Sequence, residues 1–350
     1  MRVNAVFQGG GVKGIGLVGG IYAAERRGIT FHQVAGTSVG AVVAAFLAAG
    51  YSADEMKNII LNTNFRRFIS KDWFHYLNGF GQVVRLFVKK GLYSGDPLEE
   101  WVSEHLKARG IRTFGDLEAN KLRVVASDIS QGKMLVLPED ISNYGRDPSD
   151  FPVARAVRMS AALPYFFDPV ILKHRNPKER GRGIEKESYY IVDGGILSNY
   201  PLWIFDKELN EIPPKVPTLG FQLVGKKPDQ PYPINGPVSM FNALFSTMMG
   251  AHDERYIEKH NRFRTVKIPS HMVHTTEFSI THEQMMELFD SGVRAGGEFF
   301  DRWTYSGYSL EMDKWIHTIN PKAAVTGKGG KGYTVREEMK THEPPLPKAE

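Results

Sequence analysis

The chain predicts an α/β protein built on a mainly parallel sheet covered by helices. Three observations carry that expectation. Its first fifty residues alternate short apolar strands with segments of helical period, strand-length apolar runs recur later among further helical patterns, and two strand-to-helix junctions, 9–14 and 36–40, are rich in glycine. Strands that alternate with helices pair in parallel and are buried on both faces.

In chain order, Val3–Phe7 reads as a strand and Gly14–Arg27 as a helix whose apolar residues recur about every 3.6 positions. Phe31–Ala35 is a second strand. Ser38–Ala49 is an alanine-rich helix that stops at Gly50, a residue suited to the left-handed turn beyond a helix end. Helical patterns follow at Ala53–Leu61 and Pro97–Lys107, the second with Asp96 placed as its N-cap and Pro97 at its first position. Strands are expected at Leu122–Ser127, Lys133–Leu137, Asp168–Leu172 and Ser188–Val192, with a helix, Phe151–Ser160, among them. Thr218–Val224 and Arg264–Ile268 complete the set. The last thirty residues are rich in Gly, Pro and Lys without period, which predicts a loose tail. A main domain over 1–310 and an extension over 311–350 are therefore expected.

With 350 residues, 42% of them hydrophobic, the chain can bury a substantial core. It has no cysteine, which removes disulfides, thiolate metal sites and a cysteine nucleophile and fits a reducing, cytoplasmic setting. The apolar N-terminus lacks a small-residue cleavage site, and cleavage would remove the first glycine turn, so no signal peptide is expected. The uncharged run from Gly36 to Ala53 is long enough to cross a bilayer, but its wealth of Gly, Ala, Ser and Thr favours a buried helix. Net charge is +5. The segment Phe65–Gly91 alone holds six cations (Arg66, Arg67, Lys71, Arg85, Lys89, Lys90) against Asp72, among seven aromatic residues. Two readings fit it: core helices with solvated cations, or a flap over the site that rests on an anionic lipid surface.

The first glycine turn, Gly9-Gly10-Gly11-Val12-Lys13-Gly14, has the spacing of a dinucleotide-binding turn. Such a turn needs an acidic residue at the end of the second strand, and that strand ends Val34-Ala35-Gly36-Thr37-Ser38. A phosphate-binding P-loop fails because Lys13 precedes Gly14. The second strand leads instead into Gly36-Thr37-Ser38-Val39-Gly40, a G-x-S-x-G sequence between strand and helix. That pattern is either a plain turn or a nucleophile elbow, in which glycines flank the serine because side chains there would strike the neighbouring strand and helix. Acyl transfer at Ser38 would generate an oxyanion, and backbone N–H groups of Gly10 and Gly11 would face it without side chains in the way. Adjacent parallel strands put both turns at one end of the sheet.

A nucleophilic serine needs a base. No histidine falls in a recognisable motif; His282-Glu283 begins a zinc-binding pattern, but Met286 stands where the second histidine belongs, so no metal is expected. Asp193 ends an apolar strand and precedes Gly194 and Gly195. It is either a base facing the serine or the ordinary cap of an Asp-Gly turn. A single βα unit before Ser38 argues against the α/β-hydrolase arrangement, in which several strands precede the nucleophile.

The order G-G-G-x-K-G, then G-x-S-x-G, then D-G-G resembles the patatin-like phospholipase family from Arg2 to about Asn199, and His274–Trp303 is similar to that family's closing helical region. The resemblance implies a three-layer α/β/α sandwich, a Ser–Asp dyad without histidine and calcium-independent hydrolysis of lipid esters. Carried onto this chain, Ser38 is the nucleophile and Asp193 the base. Gly9, Gly10 and Gly11 form the oxyanion loop, supported by Lys13, Gly14, Gly36, Gly40, Gly194 and Gly195. Gln8 stands where many members carry an acid. The expected function is serine acyl hydrolysis of a lipid or acyl ester, with no cofactor and no nucleic-acid partner. The expected location is cytoplasmic with peripheral contact to an anionic membrane through 65–91. Two alternatives stay open: an esterase or acyltransferase on small non-lipid esters, and a non-catalytic lipid-binding protein on the same scaffold.

Overall fold

A computed structural model describes residues 1–69, 85, 86, 88–173, 188–206, 214–225, 234, 236, 240, 243, 244, 247, 261–270 and 279–319. Its ten strands, among the described residues, are β1 (Arg2–Phe7), β2 (Thr30–Thr37), β3 (Gly91–Tyr93), β4 (Leu122–Asp128), β5 (Lys133–Leu137), β6 (Tyr165–Phe167), β7 (Val170–Lys173), β8 (Ser188–Asp193), β9 (Thr218–Val224) and β10 (Thr265–Pro269). The main sheet runs β10-β9-β1-β2-β4-β8-β7, with β5 also paired to β4. The five strands from β10 to β4 are parallel, whereas β8, β7 and β5 join antiparallel. The expected mainly parallel α/β sheet is what forms.

Helices α1 (Gly14–Glu25) and α2 (Val39–Ala48) are the crossovers that the parallel order requires, and they pack with Val3, Ala5 and Phe7 of β1 in the main core. α3 (Ala53–Leu61) opens on a capping box in which Ser52 and Glu55 exchange hydrogen bonds. α4 (Asp96–Ala108) and α5 (Val153–Ser160) bring Trp101, Val102, Val153 and Val157 into the same core. α6 (His282–Arg302) lies along α1, so closely that a Cβ on Gly19 would stand 2.1 Å from the Phe289 carbonyl oxygen. The opposite face of the sheet, with Val6, Ala35 and Val125, is covered by Tyr200 and the single turn Leu202–Ile204.

The uncharged run 36–53 divides into the end of β2, a turn, α2 and the left-handed Gly50 (φ 84°). None of the described helices is long and apolar enough to cross a membrane. His282 and Glu283 open α6 behind an N-cap formed by Thr281 and Gln284.

Several boundaries differ from expectation. Gly95 is the N-cap of α4 and Asp96 lies inside its first turn, where a carboxylate still favours the positive end of the helix. The strand expected from Asp168 begins at Val170, because Asp168 is held by Arg85. The small parallel sheet β3–β6 has no counterpart among the expected strands; three-residue strands leave no readable period. The boundary expected between 310 and 311 falls inside α7 (Tyr305–Ile319). That helix is docked: Tyr308 and Met312 are buried, the Tyr308 hydroxyl accepts from Thr218 N–H at 3.1 Å, and Trp315 stacks on Arg264. The tail beyond 319 lies outside the described residues.

Candidate active site

β1 and β2 run parallel with Phe7 opposite Gly36, so the turns after them leave the same edge of the sheet. At the end of β2 the chain reverses sharply. Ser38 takes φ 55° and ψ −126°, a conformation that residues with a Cβ adopt only under constraint, and α2 starts at the next residue. The flanking glycines are required sterically. A Cβ on Gly36 would sit 2.2 Å from the Gly40 carbonyl oxygen, and one on Gly40 would sit 2.3 Å from that of Phe7 on the neighbouring strand. Ser38 is thereby raised at the N-terminus of α2, where the helix dipole favours negative charge.

Asp193 arrives from the other side. It ends β8, pairs with Ala126 of β4 and is only 2% exposed. Ala126 follows Val125, the partner of Thr37, so the register carries Asp193 level with Ser38. Ser38 and Asp193 line the same cavity, and the Ser38 side chain lies near enough to the Asp193 carboxyl to pull its pKa down. Gly195 N–H also donates to Asp193 Oδ1, at 2.8 Å, and Gly194 lies flush on β4, where a Cβ would stand 2.3 Å from the Val125 carbonyl oxygen. Burial pushes the Asp193 carboxyl up to about 7, against the pull of the Gly195 N–H and the Ser38 hydroxyl. A carboxyl near neutrality is matched to proton transfer at physiological pH.

The glycine loop is less uniform than the sequence suggests. Gly9 N–H donates to the Asn199 carbonyl at 3.1 Å, so it is already engaged and does not face an oxyanion. Gly9 serves instead as a close-approach position, since a Cβ there would lie 2.4 Å from Asn199 Oδ1 and 3.1 Å from Ser38 Cβ. Among the described residues no acceptor sits on the N–H of Gly10 or Gly11, and Gly11 has φ 59°. Gly14 abuts Val39 of the elbow. Lys13 is half-buried with its ammonium beside Gly225, and burial lowers its pKa. Gln8 Oε1 accepts from Leu223 N–H at 2.7 Å, which makes Gln8 a tie between β1 and β9.

Ser38, Asp193, Gly10 and Gly11 open onto a narrow apolar cavity of about 100 Å³. Its walls are Val12 and Ile15 of the first turn and α1, Val39, Val42 and Val43 of α2, Phe65 and Phe68, Leu98 and Trp101 of α4, and Leu163 and Phe167. Phe68 is buried edge-on against Trp101. The beginning of the cationic segment is therefore cavity wall. Arg85, counted with its cations, is also internal: it is 1% exposed and grips the Asp168 carboxylate through two hydrogen bonds. Arg66, Arg67, Lys89 and Lys90 are exposed. Residues 70–84 and 87 of that segment, Lys71 and Asp72 among them, lie outside the described residues.

Two participants escaped sequence reading, Ser160 and Asn199. Their only local signals are a polar residue in the apolar run "MSAAL" and an Asn shortly after Asp193. Both reach the site through tertiary contact alone.

The family model described as patatin-like phospholipase matches residues 5–206. The uncharacterized protein YqhO of Bacillus subtilis (strain 168) is 39% identical over 306 residues, which cover 87% of this chain and 100% of that protein. The cGAMP-activated phospholipase of Escherichia coli (strain TW11681) is 26% identical over 175 residues, 50% of this chain and 43% of that one. Among solved structures, the type III effector protein ExoU of Pseudomonas aeruginosa is similar with a TM-score of 0.47 and 15% identity. The match covers 88% of this chain and 53% of the effector.

Proposed function

The chain belongs to the patatin-like phospholipase family, a family of lipid ester hydrolases, and from that premise we propose that it cleaves acyl esters of lipids with Ser38 as nucleophile and Asp193 as its base. The observation that carries this reading is that Ser38, on its strained turn, and the buried Asp193 carboxyl line one apolar cavity. Asp193 takes the hydroxyl proton as Ser38 Oγ attacks the ester carbonyl. The N–H groups of Gly10 and Gly11 receive the oxyanion. Collapse breaks the ester C–O bond, and the departing alkoxide takes the proton from Asp193. A water then gives its proton to Asp193 and attacks the acyl-enzyme. Ser38 Oγ leaves with that proton, which restores the free enzyme.

Cavity chemistry favours a lipid acyl chain over a small polar ester, because the walls named above are aliphatic or aromatic apart from the reacting groups. The exposed cations Arg66, Arg67, Lys89 and Lys90 would meet an anionic lipid surface. The deciding experiment compares wild type with Ser38→Ala and Asp193→Asn on phosphatidylglycerol vesicles and on a p-nitrophenyl acyl ester. Both substitutions should lower turnover by about 1000-fold or more, since an activated nucleophile or its base is lost. Turnover within tenfold of wild type in either variant would overturn that residue's role. Wild-type protein that binds vesicles but hydrolyses neither substrate would point to a lipid-binding protein.

A further inference from the structure

Ser160 is the last residue of α5, is fully buried and lines no part of the cavity. Its Oγ accepts from Ser38 N–H at 2.8 Å and donates to the Val125 carbonyl at 2.5 Å. Two residues further on, the Ala162 carbonyl accepts from Asp193 N–H at 2.9 Å. One three-residue stretch at the end of α5 thus holds the backbone of both reacting groups.

Ser38 needs such a hold. Its backbone conformation, with φ 55° and ψ −126°, is strained and persists only where the surroundings over-determine it. On its C-terminal side, the Ser38 carbonyl is engaged by Ala41 and Val42 at the start of α2. On its N-terminal side, the β2–β4 ladder ends with Thr37 opposite Val125. Ser160 supplies the next link. A hydroxyl has one donor and two acceptor sites, so a single side chain can give its proton to Val125 and still receive the Ser38 amide. The arrangement also commits the Ser38 N–H, leaving Gly10 and Gly11 as the oxyanion donors.

We propose that Ser160 is a positioning residue that sets the spacing between the Ser38 hydroxyl and the Asp193 carboxylate. The proposal rests on the Ser38–Asp193 reading above. Without the hydroxyl, the strained elbow is free to turn about φ, Oγ moves relative to the carboxyl, and proton transfer slows. Substrate binding is spared, because Ser160 does not touch the acyl cavity.

The test uses a fluorophosphonate that phosphonylates an activated serine, with the labelled residue identified by mass spectrometry and rates expressed per active site. Ser160→Ala should slow labelling of Ser38 and kcat on a p-nitrophenyl ester by about 10- to 100-fold, the scale of an ångström-level misplacement, with KM within about threefold. Ser160→Thr, which keeps the oxygen, should recover most of the rate. If Ser160→Ala does not fold, Ser160→Cys keeps the shape with a weaker acceptor and should fall between. A residue that only stabilises the fold would change the fraction of active molecules and not the rate per site. Wild-type per-site rates in the alanine or cysteine variant overturn the proposal alone, whereas absence of labelling at Ser38 in wild-type protein overturns it together with the nucleophile assignment.

Discussion

Ser38, on the turn into α2, shares one apolar cavity with Asp193, whose carboxyl is 2% exposed and pushed up to about 7 by burial. Proton transfer needs the deprotonated carboxylate. kcat/KM is therefore expected to rise tenfold per pH unit below about 7 and to level off above it, so that activity at pH 5 is about one hundredth of the plateau. A pH–rate profile on a soluble ester checks this; a flat profile between pH 5 and 8 would mean that Asp193 is not the group transferring the proton.

Burial of Asp193 also makes stability depend on pH. Between the unfolded pKa of about 4 and the folded value, the native state holds a proton that the unfolded chain has released. Stability thus falls as pH rises through that window and is lowest above it. A folded pKa one pH unit above the unfolded one costs about 1.4 kcal/mol once the pH exceeds both. Asp193→Asn should therefore raise the melting temperature at pH 8 and leave it nearly unchanged at pH 4. Thermal melts at the two pH values read the difference, and an equal effect at both would contradict the burial argument.

Gly11 combines a left-handed φ with a place in the cavity wall and an N–H on which no acceptor sits among the described residues. Gly11→Ala adds about 1–2 kcal/mol of backbone strain and displaces a donor, which should lower kcat by about 100-fold while KM changes little. Steady-state kinetics separates the two parameters. A rise in KM with kcat unchanged would assign the loop to ground-state binding.

Trp101 walls the cavity from α4 and packs in an aromatic cluster with Phe46 and Phe68. Trp101→Leu vacates space without exposing polar atoms, so the preferred acyl chain should lengthen. One added methylene in an apolar pocket is worth about 10-fold or more, and the ratio of kcat/KM between adjacent chain lengths should shift by that amount. An unchanged chain-length series would place the acyl group elsewhere.

Arg66, Arg67, Lys89 and Lys90 remain the exposed cations of the basic segment among the described residues, since Arg85 is committed to Asp168. Near an anionic bilayer each basic residue contributes about 1 kcal/mol. Reversal of these four to Glu should weaken binding to phosphatidylglycerol vesicles by more than about tenfold and leave hydrolysis of a soluble ester largely intact. Sedimentation with vesicles measures it, and unchanged binding returns the segment to a purely structural role.

What the sequence alone determined is local. The α1 and α2 periods, the stop at Gly50 and the glycines around Ser38 follow from nearest-neighbour sterics and hydrogen bonding, so β1, β2, α3 and β5 lie within two residues of their expected limits. The order of three motifs was enough to single out Ser38 and Asp193 as candidates. Tertiary structure decided what those residues meet. The engagement of Gly9 by Asn199, the grip of Ser160 on Ser38 and the burial of Arg85 against Asp168 join residues 190, 122 and 83 positions apart. Long-range partners of this kind leave no period or spacing in the chain. They arise because backbone groups at the end of the sheet must find hydrogen-bond partners once water is excluded, and only the folded arrangement brings those partners within reach.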